Sequence, residues 1–126
     1  MPDSPKFSRR ERQIMDAVFC LGEATVKQVV EAIPDAPTPM AVRRMMHILE
    51  EKGRLKRREG AREVVYLPTE SKAKAGLTAL RRVLDTFFGG AVDEALAAHL
   101  NTRETVTPEQ FARMRRLIDQ AKKEGR

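Results

Sequence analysis

Apolar residues recur at helical spacing along the first fifty positions, and each run opens on a capping residue. Ile14, Met15, Val18 and Phe19 share one face of a predicted helix over residues 9–20. Ser8 stands before it as N-cap and Glu11 three residues on, which is the pattern of a capping box. Leu21-Gly22 ends the run. Thr25 and Gln28 repeat the box ahead of Val26, Val29, Val30 and Ile33, a short second helix stopped before Pro34. A third helix opens at Thr38-Pro39, a capping hydroxyl followed by proline at the first helical position, where its missing N–H costs nothing. Val42, Met45, Met46 and Leu49 give that helix an inward face, and Gly53 is its stop.

After Gly53 the pattern changes from helical to alternating. Arg54 to Glu59 is basic, Gly60 supplies a turn, and Arg62 to Leu67 is rich in strand formers (Val64, Val65, Tyr66) before Pro68. Three short helices followed by a hairpin is the order of a winged helix-turn-helix, expected over residues 1–69.

Residues 70–126 return to helical spacing. Leu77, Leu80, Leu84, Phe87 and Phe88 line a helix ending at Gly89-Gly90. Val92, Leu96 and Leu100 mark a shorter one. Thr107-Pro108-Glu109-Gln110 is a capped start for a last helix carrying Phe111, Met114, Leu117 and Ile118, with fraying expected from Ala121 to Arg126. This apolar inventory is too thin for a self-sufficient core. Small helical units without disulfides or metals find burial in a second copy of themselves. The expected fold is mostly α with a small β-hairpin wing: a winged helix-turn-helix plus a C-terminal helical dimerisation module over 70–126. Its dimer contacts are Leu77, Leu80, Leu84, Phe87, Phe88, Leu96, Phe111, Met114, Leu117 and Ile118.

Composition narrows the function. The chain has 126 residues, 33% of them charged and 41% hydrophobic, with a formal net charge of +6. That surplus favours anionic partners, nucleic acid first. It is spread widely: residues 1–70 hold 13 basic and 11 acidic side chains, and residues 71–126 hold 11 and 7. Binding must therefore come from local clustering. No apolar run approaches the ~20 residues of a membrane span and no signal segment opens the chain, so a cytoplasmic protein is expected. Cys20, the single cysteine, allows no intrachain disulfide and fits a reducing compartment; between Phe19 and Leu21 it is expected to be buried. His47 and His99 show no ligand spacing to each other or to Cys20, and no glycine-rich phosphate loop occurs. Neither an enzyme, nor a metal site, nor a cofactor is expected, and His99 reads as a helix-surface residue.

The third helix carries the chemistry. In a helix-turn-helix the second helix of the motif enters the major groove with its first turns. Met40, Arg43, Arg44 and His47 fall opposite or beside the apolar face, after the cap at Thr38. Arginine bonds guanine edges or phosphates, methionine can meet a thymine methyl, and His47 reaches a phosphate or base edge one turn on. Glu50 and Glu51 repel phosphate, so the surface is expected to stop near His47. The bland reading of Arg43 and Arg44, as solvated helix charges, is weakened by the cap before them and the hairpin behind. Residues 52–62 add Lys52, Arg54, Lys56, Arg57, Arg58 and Arg62 against one acid, Glu59. Arg57, Arg58 and Arg62 suit backbone phosphates, and the Gly60 tip can approach a minor groove. An edge strand kept soluble by charge is the plainer alternative, and Tyr66 reads as core.

Four stretches are similar to the penicillinase, methicillin-resistance and copper-responsive repressors, the BlaI/MecI/CopY family. They are SRRERQIMDAVFCLGEATVKQVVEAI, AVRRMMHILEEKGRLKRREGAREVVYLPT, and LDTFFGG with TPEQFARMRRLIDQAKK. The likeness runs over about residues 7–122, and Val42–Tyr66 is its most specific part, with a Leu-x-x-Lys-Gly helix end and a Val-Val-Tyr-x-Pro strand end. It implies a homodimer with two winged heads on a palindromic double-stranded DNA operator, repressing a nearby operon. A membrane-bound metalloprotease sensor is implied as regulator. The chain departs from the family in carrying Phe19 for tryptophan, Ala41 for threonine and Ile48 for arginine. Ala97-Ala98-His99-Leu100 stands where an Asn-Phe cleavage pair is expected, and the clustered C-terminal cysteines of the copper branch are missing. The expected function is a dimeric transcriptional repressor binding through residues 39–52 and a wing at 54–67. A winged-helix protein-interaction module without DNA binding is the alternative, and a thiol enzyme using Cys20 a weaker third reading.

Overall fold

The computed structural model describes residues 7–60 and 62–125. The chain divides into two compact units, Met1–Ala79 and Leu80–Arg126.

In the first unit, α1 (Arg9–Leu21), α2 (Val26–Ala32) and α3 (Pro39–Glu51) precede β1 (Leu55–Glu59) and β2 (Val64–Pro68). Each helix starts where its hydroxyl cap dictates. Ser8 Oγ accepts from the Glu11 amide at 3.1 Å while Glu11 Oε1 accepts from the Ser8 amide at 3.0 Å. Thr25 and Gln28 make the same reciprocal pair, at 3.2 and 2.9 Å. Thr38 Oγ1 accepts from the Ala41 amide at 3.2 Å, with Pro39 at the first helical position. Gly22 and Gly53 follow α1 and α3 with φ of 88° and 77°, a region a Cβ disfavours, so these are the points at which helix can give way to turn.

The core is built from one stripe of each helix and the inner face of the hairpin. Ile14, Val18, Val29, Val42, Met46, Leu49 and Leu55 are each less than 2% exposed. Burying such a side chain stabilises by about 1.5–3 kcal/mol. Met45, read as inward, is half-buried and packs on this cluster, as do Phe7, Phe19 and Val30. Cys20 corrects the sequence reading: it is exposed. At about 100° per residue it lies about 200° from the fully buried Val18, on the outer face of α1.

β1 and β2 pair antiparallel, with Arg57 opposite Tyr66 and Arg58 opposite Val65. The hairpin is tied to the helices at one point the sequence did not announce. Ala24, between α1 and α2, forms a two-bond bridge with Tyr66, amide to carbonyl at 2.9 and 2.8 Å. Tyr66 is 3% exposed, as its reading as core required. The base is closed by Thr69, whose amide donates to the Arg54 carbonyl and whose hydroxyl donates to that of Gly53.

A long helix, α4 (Lys72–Phe88), crosses from the first unit into the second, where α5 (Val92–Leu100) and α6 (Pro108–Lys123) follow. Gly89 and Gly90, both at positive φ, turn the chain after α4. Thr107 and Gln110 form a third capping box at the start of α6. The last helix runs three residues into the segment expected to fray, because Lys122 and Lys123 complement the partial negative charge at its end. None of α4, α5 and α6 has a buried residue.

Candidate nucleic-acid interface

The side of α3 opposite Val42, Met46 and Leu49 is open. Met40 is 80% exposed. Arg43 and Arg44 are exposed, and neither guanidinium has a hydrogen-bond or ion-pair partner among the described residues. Thr38 is exposed at the helix start, its oxygen engaged by the Ala41 amide. His47, also exposed, stands between two carboxylates: Nδ1 lies 3.6 Å from Glu50 Oε1, and Nε2 3.6 Å from Glu51 Oε2. The structure thus brings Met40, Arg43, Arg44 and His47 to one surface and ends it in acid at Glu50 and Glu51.

The hairpin is arranged less simply than a row of free cations. Lys52 Nζ binds Glu11 at 3.1 and 3.3 Å, bringing the end of α3 to the start of α1. Glu11 is 7% exposed. The Ser8 amide, followed by the Lys52 ammonium, holds its carboxyl below the ordinary value against the opposing effect of burial. Arg57 forks onto Glu50, with Nε to Oε2 and Nη2 to Oε1 both at 2.8 Å. These bonds hold the Glu50 carboxyl low, and Glu50 in turn raises the Arg57 guanidinium above its ordinary range. The Arg57 guanidinium carbon also sits 5.6 Å from the centre of the Tyr66 ring. Among the described residues Arg58 makes a single ion pair, Nη2 to Glu23 Oε2, with both side chains about half exposed. Lys56 and Arg62 are exposed and unpartnered among the described residues.

These long-range pairs were missed by the sequence reading. Partners 41 and 35 positions apart, as in Lys52–Glu11 and Arg58–Glu23, leave no local pattern. Gly60 has a role beyond a turn residue. Its amide donates to the Glu63 carbonyl at 3.0 Å, and a Cβ there would stand 2.3 Å from that same oxygen. Glycine is needed for close approach, since Gly60 is not among the glycines at positive φ.

No curated protein matches the chain. Among solved structures it is similar to Staphylococcus aureus MepR, a transcription regulator of the multidrug efflux pump MepA. Identity is 14% over 96% of this chain and 82% of that one, with a TM-score of 0.53. A double mutant of Lactococcus lactis ZitR matches at 19% identity over 98% and 78%, with a TM-score of 0.50. The DNA-binding domain of the repressor BlaI matches at 22% over 56% and 89%, with a TM-score of 0.48. A family model described as the penicillinase repressor matches residues 7–120, running through both the winged head and the C-terminal helices. The chain therefore belongs to the penicillinase repressor family and is a DNA-binding transcriptional repressor.

Proposed function

We propose that the repressor acts in the cytoplasm as a homodimer on a palindromic operator, one α3 entering a major groove at each half-site. Arg43 and Arg44 bond guanine edges or the flanking phosphates, Met40 meets a thymine methyl, and His47 and the Thr38 end of the helix fix its depth. Arg62, and Arg58 on leaving its exposed contact with Glu23, bind backbone phosphates beside the groove. Exposed ion pairs are weak enough to be exchanged in this way. Occupation of the site blocks the promoter.

The observation that carries this reading is the pair Arg43 and Arg44. Unpartnered among the described residues, they stand on the outer face of a helix held from behind by buried Val42, Met46 and Leu49. The second half of the proposal rests on α4, α5 and α6. Leu77, Leu80, Phe87, Phe111, Leu117 and Ile118 are 49–73% exposed. Leu84, Phe88, Leu96 and Met114 are half-buried. Three helices with exposed apolar side chains and no buried residue fit a second copy of the same helices, which supports reading 70–126 as the dimerisation module. By the family likeness, a membrane metalloprotease sensor relieves repression. The sequence contains no Asn-Phe bond, so release is by scission at another bond, by a small ligand or by loss of the protein.

Selection of bound fragments from a random duplex pool, followed by titration of the enriched fragment, tests the reading. The wild type is expected to enrich a two-fold symmetric sequence and bind it as a dimer. Co-purification with a protein partner and no shift of any duplex at low salt would replace it with the protein-docking alternative.

A further inference from the structure

Of the hairpin cations, Arg57 alone is held by two groups at once among the described residues. Its fork takes both oxygens of Glu50 at 2.8 Å, and its guanidinium lies over the ring of Tyr66, its cross-strand neighbour. The contacts join three pieces of the head. Glu50 belongs to α3. Arg57 belongs to β1. Tyr66 belongs to β2 and is bridged to Ala24. On α3, Glu50 lies one turn beyond His47 and two beyond Arg43, on the same stripe, at about 100° per residue. Below this point the hairpin is fixed at its base by Thr69, and beyond it the strand carries Arg58 toward the tip. A planar fork that gives a carboxylate two parallel bonds has its charge matched by that carboxylate and its remaining donors held in one fixed direction. Arg58, with one contact to Glu23, is not so committed.

We propose that Arg57 is a positioning residue: through Glu50 and Tyr66 it sets the bearing of the wing relative to α3, and so governs sequence discrimination without itself binding phosphate. The proposal rests on the reading of α3 and the wing as the DNA-contacting surface. Its physical content is a separation of two properties. A cation that touches phosphate contributes to affinity for every sequence and about 0.9 to the slope of log affinity against log salt. A residue that only aligns two contacting elements leaves that slope alone and changes the ratio between the selected and the unselected sequence. Glu50 acquires a purpose under this account. It is the anchor for the wing, and its charge is matched before any phosphate approaches.

The test uses the full-length protein and two probes of equal length, the duplex enriched by the wild type from a random pool and a mixed-sequence duplex. Arg57→Gln, Arg57→Lys and Glu50→Gln are titrated against both across a salt series. The expected result is the same for all three variants: a fall of about fivefold or more in the ratio of affinities, the lower end of what one base contact is worth, at an unchanged slope on mixed-sequence DNA. Arg57→Lys is the sharpest variant, since it keeps the charge and loses the fork. Amide exchange in the absence of DNA should rise in β1 for all three. The proposal is overturned if Arg57→Gln lowers the mixed-sequence slope by about 0.9 while Arg57→Lys restores it, for then Arg57 binds phosphate. It is equally overturned if Glu50→Gln tightens binding to both probes, or if the ratio stays at the wild-type value. A wild type that enriches no sequence defeats the functional reading itself, an outcome distinct from variants that match a selective wild type.

Discussion

Replacing Glu11 tests how the head is held together. The side chain has two tasks: it accepts the Ser8 amide at 3.0 Å, completing the capping box of α1, and it binds Lys52 at the end of α3. Glu11→Ala removes both. The N-cap bond itself, from the residue-11 amide to Ser8 Oγ, survives, and loss of the reciprocal bond costs about 0.5–1.5 kcal/mol. Breaking a fully buried ion pair would cost about 3–5 kcal/mol, but that figure does not apply here. The Lys52 side chain is 43% exposed and returns to water when its partner goes. The expected loss is therefore about 1–2 kcal/mol, a fall of about 5–15 °C in melting temperature for a domain of this size. Glu11→Gln keeps an oxygen for the Ser8 amide and is expected to lose less than half as much. The chain has no tryptophan and one tyrosine, Tyr66, buried in the first unit, so tyrosine emission follows the head alone. Urea titration read by that signal gives the numbers. The same carboxyl predicts a pH dependence. Its folded value lies below the ordinary 4.5, so its contribution is complete above pH 4.5 and is lost as pH falls through the folded value. Wild-type stability should decline below pH 4.5, and more steeply than that of Glu11→Gln. An alanine variant within about 0.3 kcal/mol of wild type, or a glutamine variant as weak as alanine, would refute the reasoning.

Three other outcomes follow from the same structure. Arg43→Ala and Arg44→Ala should each weaken binding to the selected duplex by about 1–3 kcal/mol where they meet a base, with Tyr66 emission and melting unchanged; fluorescence anisotropy measures this. Gly60→Ala should force the wing tip open against the Glu63 carbonyl and reduce DNA affinity while costing the core little, visible as raised amide exchange confined to the hairpin. Leu80→Asp or Phe87→Asp should shift the protein from dimer to monomer in light scattering and weaken operator binding far more than mixed-sequence binding, since a buried carboxylate cannot be tolerated in an apolar contact.

What the sequence made legible was local. The starts of α1, α2, α3 and α6 were written in Ser8, Thr25, Thr38 and Thr107, because a cap and the amide it satisfies lie three residues apart. The outward face of α3 was legible for the same reason: rotation per residue fixes where Arg43 and Arg44 stand relative to Val42 and Met46. Cys20 was misread because apolar neighbours in the chain, Phe19 and Leu21, are not neighbours on a helix face. The ion pairs were illegible for a deeper reason. In the sequence Glu11 shows only its capping role and Lys52 only a place among the wing cations, and nothing in either position signals that α1 and α3 bring them within 3.1 Å. The same holds for Arg57. Counting six cations over residues 52–62 said how much charge the wing carries; the fold decides how much of it faces carboxylates of the same chain.

The account stands on α3 entering a major groove, and guanine N7 methylation reports on that groove directly. Wild-type protein bound to its selected duplex should be blocked by N7 methylation in two symmetric clusters about one helical turn, or a small multiple, apart. Arg43→Ala or Arg44→Ala should erase sensitivity at particular guanines within each cluster. Binding indifferent to methylation at every guanine, with affinity otherwise intact, would contradict it.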